Sequence, residues 1–180
     1  MQQLKKMSVI LSLIDTLKKH GSWCGETHIQ KSLYFLQEFT RVPLGFDFIL
    51  YKHGPFSFDL RDELSSMQAD NMLKIILQPY PYGPSLETTE VSMELRSRFP
   101  VTLGKYASAI EFISKNLGTL GVAELERIAT ALYVTKTNIE TDPEKRAKTI
   151  CQLKPHVPMN KAQEAVNMLD EMFNKFQTIQ

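Results

Sequence analysis

Three prolines within six residues, Pro79, Pro81 and Pro84, constrain this chain more than any other stretch. Proline has no backbone N–H and a fixed φ. Neither a helix interior nor a central strand can absorb Pro79-Tyr80-Pro81-Tyr82-Gly83-Pro84, which must be a turn. Before it, in Met72 to Gln78, Leu73, Ile75 and Leu77 alternate with Lys74 and Gln78, and only Ile76 breaks the strand pattern. After it, Ser85 to Val91 can return as the partner strand. A β-hairpin is therefore expected in a chain whose other patterns are mostly helical.

Leu4, Met7, Leu11, Ile14 and Leu17 recur at three- and four-residue steps and predict a helix ending near Gly21, with Lys18 and Lys19 in its last turn. A second helix is expected from about Thr27 to Thr40. Phe46 to Lys52 reads as a strand, because aromatic and branched residues favour extended chain, and His53-Gly54-Pro55 as its abrupt end. Ser57 can cap a third helix from Phe58 to about Ala69. After Ser92 four helical stretches are expected, near 103–117, 122–134, 143–153 and 160–177. Asp142-Pro143 should open the third of these and Asn160 should cap the last. The predicted fold class is mainly α (α+β). A winged-helix-like part with a small β-hairpin spans 1–92 and a helical part spans 93–180, with one shared core as the alternative to two subdomains.

The chain has 180 residues, of which 43% are apolar and 23% charged, with a net charge of +1. Such a chain can bury a core and need not be disordered. The first 90 residues carry 9 Lys and Arg against 10 Asp and Glu, and the last 90 carry 12 against 10. Neither half has the positive excess that neutralises phosphates, so duplex DNA would need a local basic patch. Cys24 and Cys151 do not form a disulfide framework, and free thiols imply a cytoplasmic setting. The N-terminus lacks the features of a signal peptide, and no apolar run reaches the length of a membrane span.

The most distinctive stretch is Tyr51-Lys52-His53-Gly54-Pro55-Phe56-Ser57. Its structural reading is a turn, a cap and a staple to the core. Its functional reading is that Lys52, His53 and Arg61 put positive charge near a helix N-terminus, where anions are welcome. Tyr80 and Tyr82 are the other candidates, as aromatic residues of a loop suited to a protein interface. His20, Cys24 and His28, four apart, could line one helix face and hold a metal with help from Cys151 or His156, but Gly21 and Gly25 interrupt that helix. Asp47 and Lys52 are five apart on the expected strand and point to opposite faces, unlike the residues of a metal-dependent nuclease. His53 with Asp59 and Asp62 is the one conceivable proton-transfer set of a hidden hydrolase. No nucleophile elbow or phosphate loop occurs. The expectation is a protein that is not an enzyme and uses no cofactor or metal.

Gln30-Lys31-Ser32-Leu33-Tyr34-Phe35-Leu36, then Pro43-Leu44-Gly45-Phe46-Asp47-Phe48, then Tyr51 to Ser57, resemble the Panacea antitoxin-like domains. They are more similar still to an uncharacterised prokaryotic branch with a Tyr-x-x-Gly-Pro-Phe/Tyr-Ser motif. Glu124-Leu125-Glu126 with Ile128-Ala129, and Leu153-Lys154-Pro155-His156, are similar to later helical motifs of that branch. The resemblance implies a non-enzymatic accessory protein of a toxin–antitoxin or defence system. Its partner would be another protein, with duplex DNA as the alternative.

Overall fold

The structure is a computed structural model that describes residues 1–79, 83–137 and 141–178. Within these residues the chain is mainly helical. In order it forms α1 (Gln3–Lys19), α2 (Glu26–Glu38), β1 (Ile49–Tyr51), β2 (Gly54–Phe56), α3 (Phe58–Ala69), β3 (Leu73–Ile76), β4 (Ser85–Thr88), α4 (Glu90–Ser97), α5 (Pro100–Leu117), α6 (Val122–Thr137), α7 (Pro143–Leu153) and α8 (Met159–Gln177).

The chain divides into two compact units. The first comprises 1–48 and 57–120, and the second 49–56 and 121–180. The expected division near 92 thus falls inside the first unit, and the segment around the Gly-Pro motif joins the C-terminal helices.

In the first unit α1 is the centre. Val9, Ile10 and Leu13 are buried along with Met7, Leu11, Ile14 and Leu17, so the helix is covered on more than its expected single face, while Leu4 is exposed. α5, α4, α2 and β4 pack around it. The expected β3–β4 hairpin is present and antiparallel, with Leu73 opposite Thr88 and Ile75 opposite Leu86, and β3 ends at Ile76 instead of Gln78. Gly25 forms an isolated bridge to Ser85, and the N–H of Leu86 donates to Cys24 O at 3.0 Å. The segment between α1 and α2 therefore adds a single isolated bridge to the edge of this hairpin. Ser57 caps α3 as predicted, its Oγ accepting from the N–H of Leu60 at 3.2 Å. The return strand stops at Thr88, because Thr89 and Ser92 form a capping box that starts α4, a helix absent from the sequence reading.

Two glutamines on α2, seven residues apart and so on one face, hold the chain where it leaves and re-enters this unit. Gln37 donates to Phe46 O at 2.8 Å and accepts from the N–H of Phe46 at 2.9 Å. Gln30 does the same for Ser57, at 2.9 and 3.1 Å.

In the second unit α6 packs against β2, α7 and α8. Leu125, Ile128, Leu132, Ile150, Val166 and Leu169 form its core. Arg146 makes a two-pronged ion pair with Asp170, at 2.9 and 2.5 Å, and also donates to Thr135 Oγ1 at 3.2 Å. Asp142 caps α7 as expected, whereas α8 starts behind Pro158, so Asn160 lies inside the helix instead of capping it.

Candidate functional site

The Gly-Pro motif does not end a strand; it forms the second strand of a hairpin. β1 and β2 pair antiparallel, with Ile49 opposite Phe56, Leu50 opposite Pro55 and Tyr51 opposite Gly54. Lys52 and His53 are the two turn residues, and Gly54 at φ 84° supplies the left-handed conformation that reverses the chain. Proline is excluded from central strands only, and a two-stranded hairpin has none.

Behind the tip lies a charged cluster. The buried Lys154, at the C-terminal end of α7, donates through Nζ to the carbonyls of Tyr51 at 2.7 Å and Lys52 at 2.6 Å. Its Nζ is also 3.7 Å from Oε1 of Glu126, on α6. Glu126 is only 7% exposed, and its Oε1 has no hydrogen-bond partner among the described residues. Two imidazoles face the same carboxylate from outside: His53 Nδ1 is 3.5 Å from Oε2 and His156 Nε2 is 3.3 Å from Oε1. Both rings are largely exposed, at 63% and 62% of their side-chain surface. A buried ammonium thus balances a buried carboxylate, and the charge or donor capacity that reaches the surface is that of Lys52, His53 and His156.

The two faces of the hairpin differ. Leu50 is half-buried and Pro55 buried on the side toward α6. Ile49 and Tyr51, on the opposite side, are 49% and 54% exposed, and the Tyr51 and Phe56 rings lie 5.9 Å apart. An exposed apolar strip therefore ends in a tip of basic and imidazole side chains.

Of the residues expected to form a site, Lys52 and His53 fall in this cluster. Arg61 belongs to the first unit. It lies over the Phe58 ring, bonds Asp62 at 3.0 and 3.1 Å, and lines a groove of about 190 Å3 together with Glu26, Leu64, Ile75 and Leu86. Tyr80 and Tyr82 lie outside the described residues. The carboxylate that faces His53 is Glu126 rather than Asp59 or Asp62.

The residues weighed as metal ligands have separate partners. His20 faces Glu111 at 2.7 Å, Cys24 donates from its thiol to Ile14 O at 3.4 Å, and His28 Nε2 bonds Leu120 O at 2.8 Å. Burial pushes the Cys24 thiol up and the His28 imidazole down, in the second case against the opposing effect of its hydrogen bond to Leu120. No group of three His, Cys, Asp or Glu side chains among the described residues could hold a metal ion.

Glu126 and Lys154 are site residues that the sequence shows only within the motifs Glu124-Leu125-Glu126 and Leu153-Lys154-Pro155-His156 of the resemblance, with no role attached to them. The local signal at Glu126 is a charge on an apolar helix face, between Leu125 and Ile128-Ala129. No family model and no curated protein matches the chain.

Proposed function

We propose that this protein is a non-enzymatic protein-interaction module, an antitoxin-like or defence-associated accessory protein that acts in the cytoplasm. The observation that carries this reading is the β1–β2 hairpin, which exposes Ile49 and Tyr51 while Lys154 fixes its turn from behind. Exposed aromatic and aliphatic side chains on a fixed backbone are what protein interfaces use, because little conformational freedom is lost on binding. The resemblance to antitoxin-like domains adds the class of partner, a toxin or another defence protein. Among the described residues no helix is long and apolar enough to cross a membrane.

DNA binding through the winged-helix part has less support. α3 sets one arginine, Arg61, against Asp59, Asp62 and Glu63. The hairpin lysine Lys74 and the nearby Lys18 both converge on Glu87. A surface that meets phosphates carries uncompensated lysine and arginine instead.

The test is a tagged pull-down from the native host, with nuclease treatment as a control. The expected result is a stoichiometric protein partner that survives nuclease and is lost with Tyr51→Glu. Recovery of nucleic acid alone, released at high salt, would replace this function with the DNA-binding one.

A further inference from the structure

Pro55 decides which way the hairpin's peptide groups point. Because it has no N–H, Leu50 and Pro55 must be a non-hydrogen-bonded pair. The ladder bonds belong to Ile49 with Phe56 and Tyr51 with Gly54. The N–H and C=O of Leu50 therefore point away from β2, along the outer edge of β1. Neither group has a hydrogen-bond partner among the described residues. The outer edge of β2 is the opposite case: its central residue has no donor, and the strand packs on α6. One edge of the hairpin is closed and the other is open.

We infer that the outer edge of β1 takes an extended segment of a partner protein as a third strand, with apolar side chains over Ile49 and Tyr51 and an acidic residue at the hairpin tip. The inference rests on the interaction-module reading of the same hairpin and names the partner's chemistry. The backbone of Leu50 supplies one donor and one acceptor to an added strand. A two-stranded ribbon is marginal by itself, and a third strand completes it. The acidic residue follows from charge complementarity. Lys52, His53 and His156 are exposed around the tip, while the Glu126 carboxylate is buried against Lys154.

The experiment pans a phage-displayed library of linear octapeptides on the full chain and measures the enriched peptides by fluorescence anisotropy. Enrichment of peptides that alternate β-branched or aromatic residues and carry Asp or Glu toward one end is the expected result. N-methylation scanned along the peptide should weaken binding by about tenfold or more at the one position that donates to Leu50 and little elsewhere, since Leu50 supplies the one outward-facing acceptor of β1. Lys52→Glu should weaken the acidic peptides and spare the fold. Leu50→Pro should abolish binding, and the N-methyl pattern gives the same information if that variant fails to fold. Absence of enrichment, or equal tolerance of N-methylation at every position, overturns strand addition. If the host partner is still lost with Tyr51→Glu in that case, the interaction module stands without it. Concentration-dependent dimerisation removed by Leu50→Pro would place a second copy on this edge and also overturn the inference.

Discussion

Replacing Lys154 by alanine should leave the carbonyl of Lys52 without this donor, that of Tyr51 with its ladder bond alone, and Glu126 without its buried ammonium partner. Breaking a buried ion pair from one side costs about 3–5 kcal/mol, because the remaining charge loses its compensation. The urea unfolding midpoint should fall accordingly, and a shift worth less than about 1 kcal/mol would show that the cluster is solvated. Gln30→Ala should cost about 1–3 kcal/mol, since it leaves the buried N–H of Ser57 unbonded and its C=O with the N–H of Arg61 alone. His28 sets a pH dependence. Its Nε2–H donates to Leu120 O and its buried Nδ1 has no hydrogen-bond partner among the described residues, so protonation there would bury an unsatisfied N–H. Burial holds its folded-state value below the ordinary 6.5. The unfolded chain therefore takes up this proton first as pH falls. Stability from His28 is complete above about pH 6.5, declines below it, and levels off once the folded imidazole is protonated too. His28→Gln should flatten the decline in urea midpoint between pH 7.5 and 5.5 relative to the parent.

The capping box of α4 controls more than one element. Thr89 Oγ1 accepts from the N–H of Ser92 and donates to Asn71 O at 2.6 Å, tying the start of α4 to the chain entering β3. Thr89→Ala should cost about 0.5–2 kcal/mol, seen as a lower Tm, and Thr89→Ser should recover most of it. The same helix shows where element reading stops short. A capping box is recognised by Glu or Gln at its fourth position, and here Ser92 stands there, directly after a residue pattern that reads as strand. α3, α7 and the β3–β4 hairpin were legible because Ser57 suits a cap, Asp142-Pro143 suits a helix start, and two strand patterns flank a proline-rich segment, part of which lies outside the described residues. The β1–β2 hairpin was half legible. Gly54-Pro55 reads as a stop by backbone preference, and only tertiary packing on α6 turns Pro55 into a strand residue.

The second unit is discontinuous in sequence, since residues 49–56 belong with α6, α7 and α8. Residues 121–180 expressed alone should therefore be helical but lack a cooperative thermal transition, as α6 would lose β2 and Lys154 its two acceptors. A sharp melt of that fragment, matching the full chain, would show the hairpin to be dispensable. Discontinuity also explains how much of the site could be read in advance. Lys52 and His53 were visible in a distinctive motif, but Glu126 and Lys154 meet them only through tertiary folding, over separations that no local pattern reports. Those separations set an order of events during synthesis. The acceptor Tyr51 and the donor Lys154 are 103 residues apart. At ribosomal rates of roughly 5–20 residues per second, the hairpin residues exist for about 5–20 s before the lysine that pins their turn has been made. For most of that interval, until α6 has been made, β2 has no helix to rest on, so a nascent chain exposes both faces of this hairpin where a partner or a chaperone would find it first.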